Sequence, residues 1–154
     1  MLDRHAIAAL RPVLDAIAGL LVRAGVGADT VTFVGFGLGI AGAAAIAFGA
    51  FGPGLALLLA SRLLDGLDGA VARRTTPTDR GAFLDIALDF LFYASVPLAF
   101  AIADPAAHAL AAAVLLAAFI GTGSSFLAFA VMAERRGLKS TDYPSKGLYY
   151  LGGL

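Results

Sequence analysis

Cysteine and tryptophan are absent from this 154-residue chain, and histidine occurs only at His5 and His108. Without cysteine there can be no disulfide, no thiolate metal site and no cysteine nucleophile. Two histidines far apart in sequence make an imidazole-rich zinc site a poor candidate. Any metal ion that this protein binds is therefore expected to have oxygen ligands.

Charged residues are also scarce, since they make up 14% of the chain while hydrophobic residues make up 60%. The mean hydropathy is +0.88, and a soluble globule of this size could not cover so many apolar side chains. Eleven Lys and Arg residues balance eleven Asp and Glu residues, so no basic excess points to nucleic acid. We predict an all-α, polytopic membrane helical bundle that contacts membrane lipids.

Apolar runs divide the chain into helical segments separated by turns. The first segment is predicted to be an amphipathic helix in the membrane interface, although Pro12 weakens that prediction. Asp29 or Thr30 is expected to cap the next helix, and Gly52-Pro53-Gly54 and Asp104-Pro105 are turn signals. The predicted segments are residues 2–24, span one from Val31 to Phe51, span two from Leu55 to Ala72, span three from Gly81 to Ala103, a fourth helix from Ala106 to Glu134, a polar loop over residues 134–146, and the start of a fifth span at Gly147.

Four complete spans and the start of a fifth predict a single membrane-embedded domain over residues 1–154 that is truncated at its C-terminus. All eleven basic residues fall in the N-terminal segment, near the loop over residues 73–80, or after the fourth helix. Basic residues concentrate on the cytoplasmic side of membrane helices. We therefore expect the loop between spans two and three to face the cytoplasm, with the protein in the cytoplasmic (inner) membrane.

Four aspartates stand in a regular pattern across spans two and three, although an Asp at the centre of a membrane helix costs about 2.5 to 3.5 kcal/mol. The pattern is Asp65, two residues, Asp68-Gly69, two residues, Ala72-Arg73, seven residues, Gly81, three residues, Asp85, three residues, Asp89. Helical spacing lets two adjacent antiparallel helices aim all four carboxylates at one point. Crowded carboxylates repel unless cations neutralise them, so we predict a site for Mg²⁺ or Mn²⁺. The simpler alternative is that these acids only satisfy the membrane interface.

Small residues accompany the acids at Gly66, Gly69, Ala72 and Gly81. Such residues let helices approach closely and leave room for a nucleotide or a phosphate. Arg73 adds a fixed cation for a phosphate oxygen. The sequence therefore predicts a metal site that acts on a phosphate compound.

The 25-residue string from Asp65 to Asp89 resembles the signature of the CDP-alcohol phosphatidyltransferases, with every defining position occupied. The resemblance implies a membrane enzyme, typically with six spans and dimeric, that transfers a phosphatidyl group from a CDP-linked lipid to an alcohol and releases CMP. It also implies two divalent ions, one held by Asp65, Asp68 and Asp85 and the other by Asp65, Asp85 and Asp89. Asp89 would be the general base that takes the proton of the acceptor hydroxyl.

The same resemblance implies that Gly69, Ala72 and Arg73 face the cytidine diphosphate. Asp29 and Thr32, near the start of span one, would contact the cytidine, although Ala28-Asp29 replaces the Pro-Asn pair common in the family. By the same resemblance, a complete fifth span and a sixth span, which complete the acceptor pocket in family members, are expected beyond these 154 residues.

Other features leave alternatives open. A basic group after the fourth helix is a candidate for binding a phosphorylated acceptor, and the positive-inside rule explains it equally well; it comprises Arg135, Arg136, Lys139 and Lys146. The aspartates could instead line the ion path of a cation transporter or channel, for which an internal repeat is expected and none is found. An inactive truncated fragment is the third possibility. Residues 37–42 spell a dinucleotide fingerprint, but no strand precedes them, so Gly35 and Gly39 are predicted to serve helix packing.

Overall fold

Five α-helices and no strands make up the described part of the protein. The structure is a computed structural model that describes the backbone of residues 2–137 and the side chains of residues 11–137. This architecture confirms the all-α prediction, and the predicted polar loop from residue 138 on and the fifth span lie outside the described residues. The helices are α1 (Leu2–Arg23), α2 (Ala28–Ala47), α3 (Phe51–Arg74), α4 (Asp79–Ala103) and α5 (Pro105–Arg135).

Helices α4 and α5 begin with side-chain caps that satisfy N–H groups of the first turn. The hydroxyl of Thr78 accepts a hydrogen bond from the N–H of Gly81 at 3.0 Å. The carboxylate of Asp104 accepts one from the N–H of Ala107 at 3.0 Å, and Pro105 takes the first helical position, where no N–H is needed. These caps explain why the chain turns sharply before α4 and between α4 and α5.

The start of α2 differs from the prediction. Gly27, with an extended backbone, precedes the first helical residue, and no side chain caps this helix. Asp29 and Thr30 lie inside the first turn instead, so the prediction that one of them is the cap is wrong. Asp29 still stabilises the start of α2, because its negative charge interacts favourably with the positive end of the helix dipole.

The turn between α2 and α3 lies over residues 48–50, before the predicted position. Gly49 has a φ of +80°, which glycine adopts without strain, and α2 therefore ends at Ala47. Pro53 is the third residue of α3, where its missing N–H leaves no helical hydrogen bond unmade. The predictions of a turn at residues 52–54 and of a span reaching Phe51 are therefore wrong.

Helix α2 lies at the centre of the bundle, where it packs against both α3 and α4. Glycines make these contacts close, as predicted for Gly35 and Gly39. A Cβ atom at Gly35 would lie 3.1 Å from the Cβ of Leu64, and one at Gly39 would lie 2.6 Å from the ring of Phe92. Outside this core, α1 packs on α3 and α5 packs on α4.

The amphipathic helix α1 packs against the C-terminal end of α3, which is the end next to the loop before α4 and is called the loop-side end below. Its residue Ala18 is fully buried in a cluster with Val31 of α2 and with three residues of α3, which are Leu67, Ala70 and Val71. The predicted helix over residues 2–24 is confirmed, and it continues through Pro12. This packing places α1 beside the end of α3 that carries the aspartates.

Three of the described helices, α2, α4 and α5, are long and apolar enough to cross a membrane. Helix α3, predicted as span two, is about 36 Å long at 1.5 Å per residue. It is not among the three, because it carries charged side chains from its middle to its end, at Arg62, Asp65, Asp68, Arg73 and Arg74. The protein is thus an integral membrane helical bundle in which a charged helix packs against an apolar one.

Candidate metal and substrate site

Three of the four predicted metal ligands meet at one place. Asp65 and Asp68 of α3 and Asp85 of α4 each present a carboxylate oxygen, and these oxygens lie within 4.8 Å of one another. Asp68 is buried, while Asp65 and Asp85 are half-buried. Three acids this close can neutralise a divalent cation with oxygen ligands.

The two helices that carry the acids contact each other through side chains, including Arg62 with Asp89 and Phe51 with Phe100. The backbones of α3 and α4 each pack closely against α2. The carboxylates therefore meet across a gap whose floor is α2. The side chains and backbone around this cavity come from Thr32, Gly35, Phe36, Ser61, Arg62, Asp65, Asp68, Asp85, Leu88 and Asp89.

Helix α2 contributes a direct contact to the acid cluster. The hydroxyl of Thr32 donates a hydrogen bond of 2.6 Å to Oδ2 of Asp68. A hydrogen bond to a carboxylate stabilises its position in a partly buried site. Thr32, expected to contact cytidine, therefore lies against a metal-ligand candidate, and it orients that carboxylate towards the gap.

The fourth acid, Asp89, is bound to an arginine. Arg62 of α3 donates a hydrogen bond of 3.0 Å to Oδ1 of Asp89, and the same guanidinium nitrogen lies 3.7 Å from Oδ2 of Asp65. The Arg62 guanidinium also stacks 3.9 Å from the ring centroid of Phe92. This pairing was not predicted from the sequence, where the available signal is a basic residue, Arg62, within predicted span two.

Residues predicted to face the nucleotide lie at the loop-side ends of α3 and α4. The side chain of Arg73, which is exposed, turns back towards Gly69, where a Cβ atom would lie 3.4 Å from its Nη1. A Cβ atom at Gly81 would lie 3.4 Å from Oδ1 of Asp29. Asp29 itself forms an ion pair of 3.4 Å with Arg80. Of the residues predicted to face the nucleotide, Thr32 lines the cavity, and Gly69, Ala72, Arg73, Gly81 and Asp29 are not among the residues around it.

The predicted acceptor residues are only partly described. Arg135 and Arg136, at the end of α5, are exposed, and Lys139 and Lys146 lie outside the described residues. Helix α5 runs antiparallel to α4, because Phe90 contacts Gly123 and the rings of Phe100 and His108 meet edge to face. The two arginines therefore lie at the same end of the bundle as the start of α4.

The residues present fit a hard divalent ion. The donors are carboxylates alone, which suits Mg²⁺ or Mn²⁺ and excludes sites of the thiolate kind. Asp68 is 6% exposed, and Thr32 donates to it, so part of the donor set is already held in place before an ion binds. The divalent ions that the resemblance implies therefore agree with the donor set that the structure assembles.

Comparison with known proteins places the chain in a family. Residues 26–145 match the family model of the CDP-alcohol phosphatidyltransferases. The chain belongs to this family, and the resemblance noted in the aspartate pattern is confirmed. It is a membrane protein of the class that transfers a phosphatidyl group from a CDP-linked lipid in phospholipid synthesis.

Individual relatives add detail. The chain is 50% identical over all of its 154 residues to the inner membrane protein YnjF of Escherichia coli, of which it covers 75%. It is 46% identical over 83 residues to an archaetidylinositol phosphate synthase of Methanothermobacter thermautotrophicus, covering 41% of that protein. It is 41% identical over 93 residues to a phosphatidylinositol phosphate synthase of Streptomyces avermitilis, covering 37% of it. No solved structure matches the chain.

Proposed function

We propose that this protein transfers a phosphatidyl group from a CDP-linked lipid to the hydroxyl of an alcohol and releases CMP. The acceptor oxygen forms a bond to the phosphorus that carries the lipid, the bond from that phosphorus to the CMP oxygen breaks, and the hydroxyl proton passes to a carboxylate. The observation that carries this proposal is the meeting of Asp65, Asp68 and Asp85 beside Asp89 in one open gap.

Asp65, Asp68 and Asp85 are proposed to hold a divalent ion, Mg²⁺ or Mn²⁺. Such an ion neutralises diphosphate charge and stabilises the leaving CMP. Thr32 keeps the Asp68 carboxylate aimed at the gap through its hydrogen bond. A second ion among Asp65, Asp85 and Asp89 would have to share Asp89 with the guanidinium of Arg62.

Asp89 is proposed as the general base. One of its oxygens accepts from Arg62, and a carboxylate has a second oxygen that can take the acceptor proton. A hydroxyl is a poor nucleophile at neutral pH, so a carboxylate within hydrogen-bond reach lowers the barrier. The position of Asp89, one helical turn beyond Asp85, puts this base deeper in the bundle than the acid cluster.

The nucleotide is proposed to bind at the loop-side end of the gap. Gly69, Ala72 and Gly81 leave space for the diphosphate and the base, and the exposed Arg73 supplies a cation for a phosphate oxygen. Asp29 and Thr32 border the same region from α2. This arrangement keeps the nucleotide in water while the acyl chains of the donor stay in lipid.

The acceptor is proposed to be a phosphorylated polyol. Two relatives are named as inositol phosphate lipid synthases, and a phosphate on the acceptor requires basic side chains. Arg135 and Arg136 lie at the correct end of the bundle, and Lys139 and Lys146 follow them in sequence. A second phosphate near the site would pair with these cations.

The protein is proposed to lie in the inner membrane with this gap facing the cytoplasm. A relative is named as an inner membrane protein, and the basic residues gather at the end of the bundle that carries the acids. The homodimer typical of the family is also a proposal for this chain. A native mass measurement of the detergent-solubilised protein tests it, because a dimer doubles the 15.6 kDa chain mass.

A CMP-release assay tests the proposed reaction. The purified chain in detergent is given CDP-diacylglycerol, Mg²⁺ and a panel of alcohols that includes inositol phosphate. We expect CMP release that stops on chelation and falls at least about a hundredfold in Asp68→Asn. Asp104→Asn, at the other end of the bundle, is the matched control and keeps full activity, because asparagine also caps helices. CMP release that persists in Asp68→Asn contradicts the proposed site.

A further inference from the structure

Arg62 occupies an unusual place for a cation. It lies in the middle of α3, with its side chain 32% exposed, and it reaches across the gap to α4. Its Nε is buried and has no hydrogen-bond partner among the described residues. A charge placed this way in a membrane helix calls for a specific role, since such residues are costly.

Aromatic rings fix the guanidinium in place. Its central carbon lies 3.9 Å from the centroid of Phe92 and 5.7 Å from that of Tyr93. A cation over an aromatic face is attracted to it, more strongly where water is excluded. Phe92 is itself 5% exposed and packs against the open face of Gly39. The arginine is therefore held by packing as well as by charge.

Arg62 contacts two of the four acids. Its Nη1 lies 3.0 Å from Asp89 and 3.7 Å from Asp65. These two acids belong to the set that the family resemblance gives to a second divalent ion. An arginine cannot lose its charge in a protein, so an ion entering between Asp65 and Asp89 meets a permanent cation at short range.

We propose that the guanidinium of Arg62 neutralises Asp65 and Asp89 in place of a second divalent ion. The protein then binds one divalent ion tightly rather than two. That ion lies among Asp65, Asp68 and Asp85. Arg62 is then a positioning residue, which holds Asp89 in place for the acceptor hydroxyl. The inference rests on the proposed function in one respect, which is the assignment of Asp65, Asp68 and Asp85 as ligands of the divalent ion.

Mn²⁺ binding to the full chain in detergent tests the proposal, with free Mn²⁺ measured by electron paramagnetic resonance. Wild type is expected to bind one ion tightly per chain. Arg62→Met is expected to bind two, the second at least about tenfold more tightly than in wild type, because the competing cation is gone. The control Arg23→Met removes an exposed arginine of α1 and should still bind one ion. Two ions of similar affinity in wild type overturn the proposal.

Asp89→Asn keeps the test decisive should Arg62→Met fail to fold. Because Asp89 is not a ligand of the single tight ion, this variant should bind one Mn²⁺ with a dissociation constant within about threefold of wild type. Loss of an ion in Asp89→Asn overturns the proposal.

Asp68→Asn separates this inference from the proposed function. That variant should lose the tight ion. If Asp68→Asn binds Mn²⁺ as wild type does, the proposed metal site itself is wrong. If Asp68→Asn loses the ion but wild type binds two, only the role of Arg62 is wrong.

Discussion

Adding one methyl group at Gly39 should disturb the crossing of α2, α3 and α4. A Cβ atom there would lie 2.6 Å from the ring of Phe92 and 2.8 Å from the hydroxyl of Ser61. Both neighbours are buried, Phe92 at 5% and Ser61 at 0% exposure, so neither can move aside without shifting a helix. Overpacking of this kind costs about 1 to 3 kcal/mol.

Gly37 supplies a matched control two residues away on the same helix. A Cβ atom at Gly37 would have no atom within 4 Å. Replacing glycine with alanine inside a helix stabilises it by roughly 0.5 to 1 kcal/mol. Both variants gain this term, so the difference between Gly39→Ala and Gly37→Ala isolates the contact and should equal about 1 to 3 kcal/mol.

Thermal unfolding followed by circular dichroism measures this difference in detergent. At about 2 to 4 °C per kcal/mol, Gly39→Ala should unfold roughly 2 to 12 °C below Gly37→Ala. CMP release should also fall in Gly39→Ala, because a displaced Phe92 ring moves Arg62 and with it Asp89. Equal midpoints for the two variants, with full activity in both, would refute this account of the helix crossing.

Three further predictions follow from the same geometry. Asp89→Asn should lower CMP release at least about a hundredfold at saturating substrate while Mg²⁺ dependence is retained, as loss of a general base requires; unchanged turnover removes Asp89 from that role. Arg80→Gln should change the unfolding free energy by less than about 1 kcal/mol, because the Arg80 side chain of the pair with Asp29 is exposed; a larger loss measured by thermal unfolding would mean that this ion pair supports the start of α4. The chain has no cysteine, so Thr76→Cys and His108→Cys can be labelled one at a time in spheroplasts with an impermeant maleimide; label at residue 108 alone agrees with a cytoplasmic site, and label at residue 76 alone reverses the orientation.

The sequence predicts the helices well because their apolar runs are long. The starts of α4 and α5 carry strong local signals, which are Thr78 before Asp79 and the pair Asp104-Pro105. Both helices begin close to the predicted positions. The turn before α3 was misplaced because Gly52-Pro53-Gly54 is a turn signal that is equally compatible with a first helical turn. The turn forms at Gly49 instead, and the positive φ of this residue depends on the surrounding structure.

Part of the candidate site is predicted by the sequence, and the rest depends on how the helices pack. Spacing alone places Asp65 with Asp68 on one face of α3, and the structure adds Asp85 to them. Spacing does not show that α2 forms the floor of the gap, or that Thr32 donates to Asp68. The contact between Arg62 and Asp89 joins residues 27 positions apart, so it depends on how two helices pack on a third. Such contacts are properties of the packed bundle and have no local pattern.

The most direct test of the metal site is a crystal structure of the protein grown with Mn²⁺, in which anomalous scattering locates the ion. We expect an anomalous peak in contact with the carboxylates of Asp65, Asp68 and Asp85. A structure in which the acids of α3 turn away from Asp85, with no peak among the three, would contradict the account.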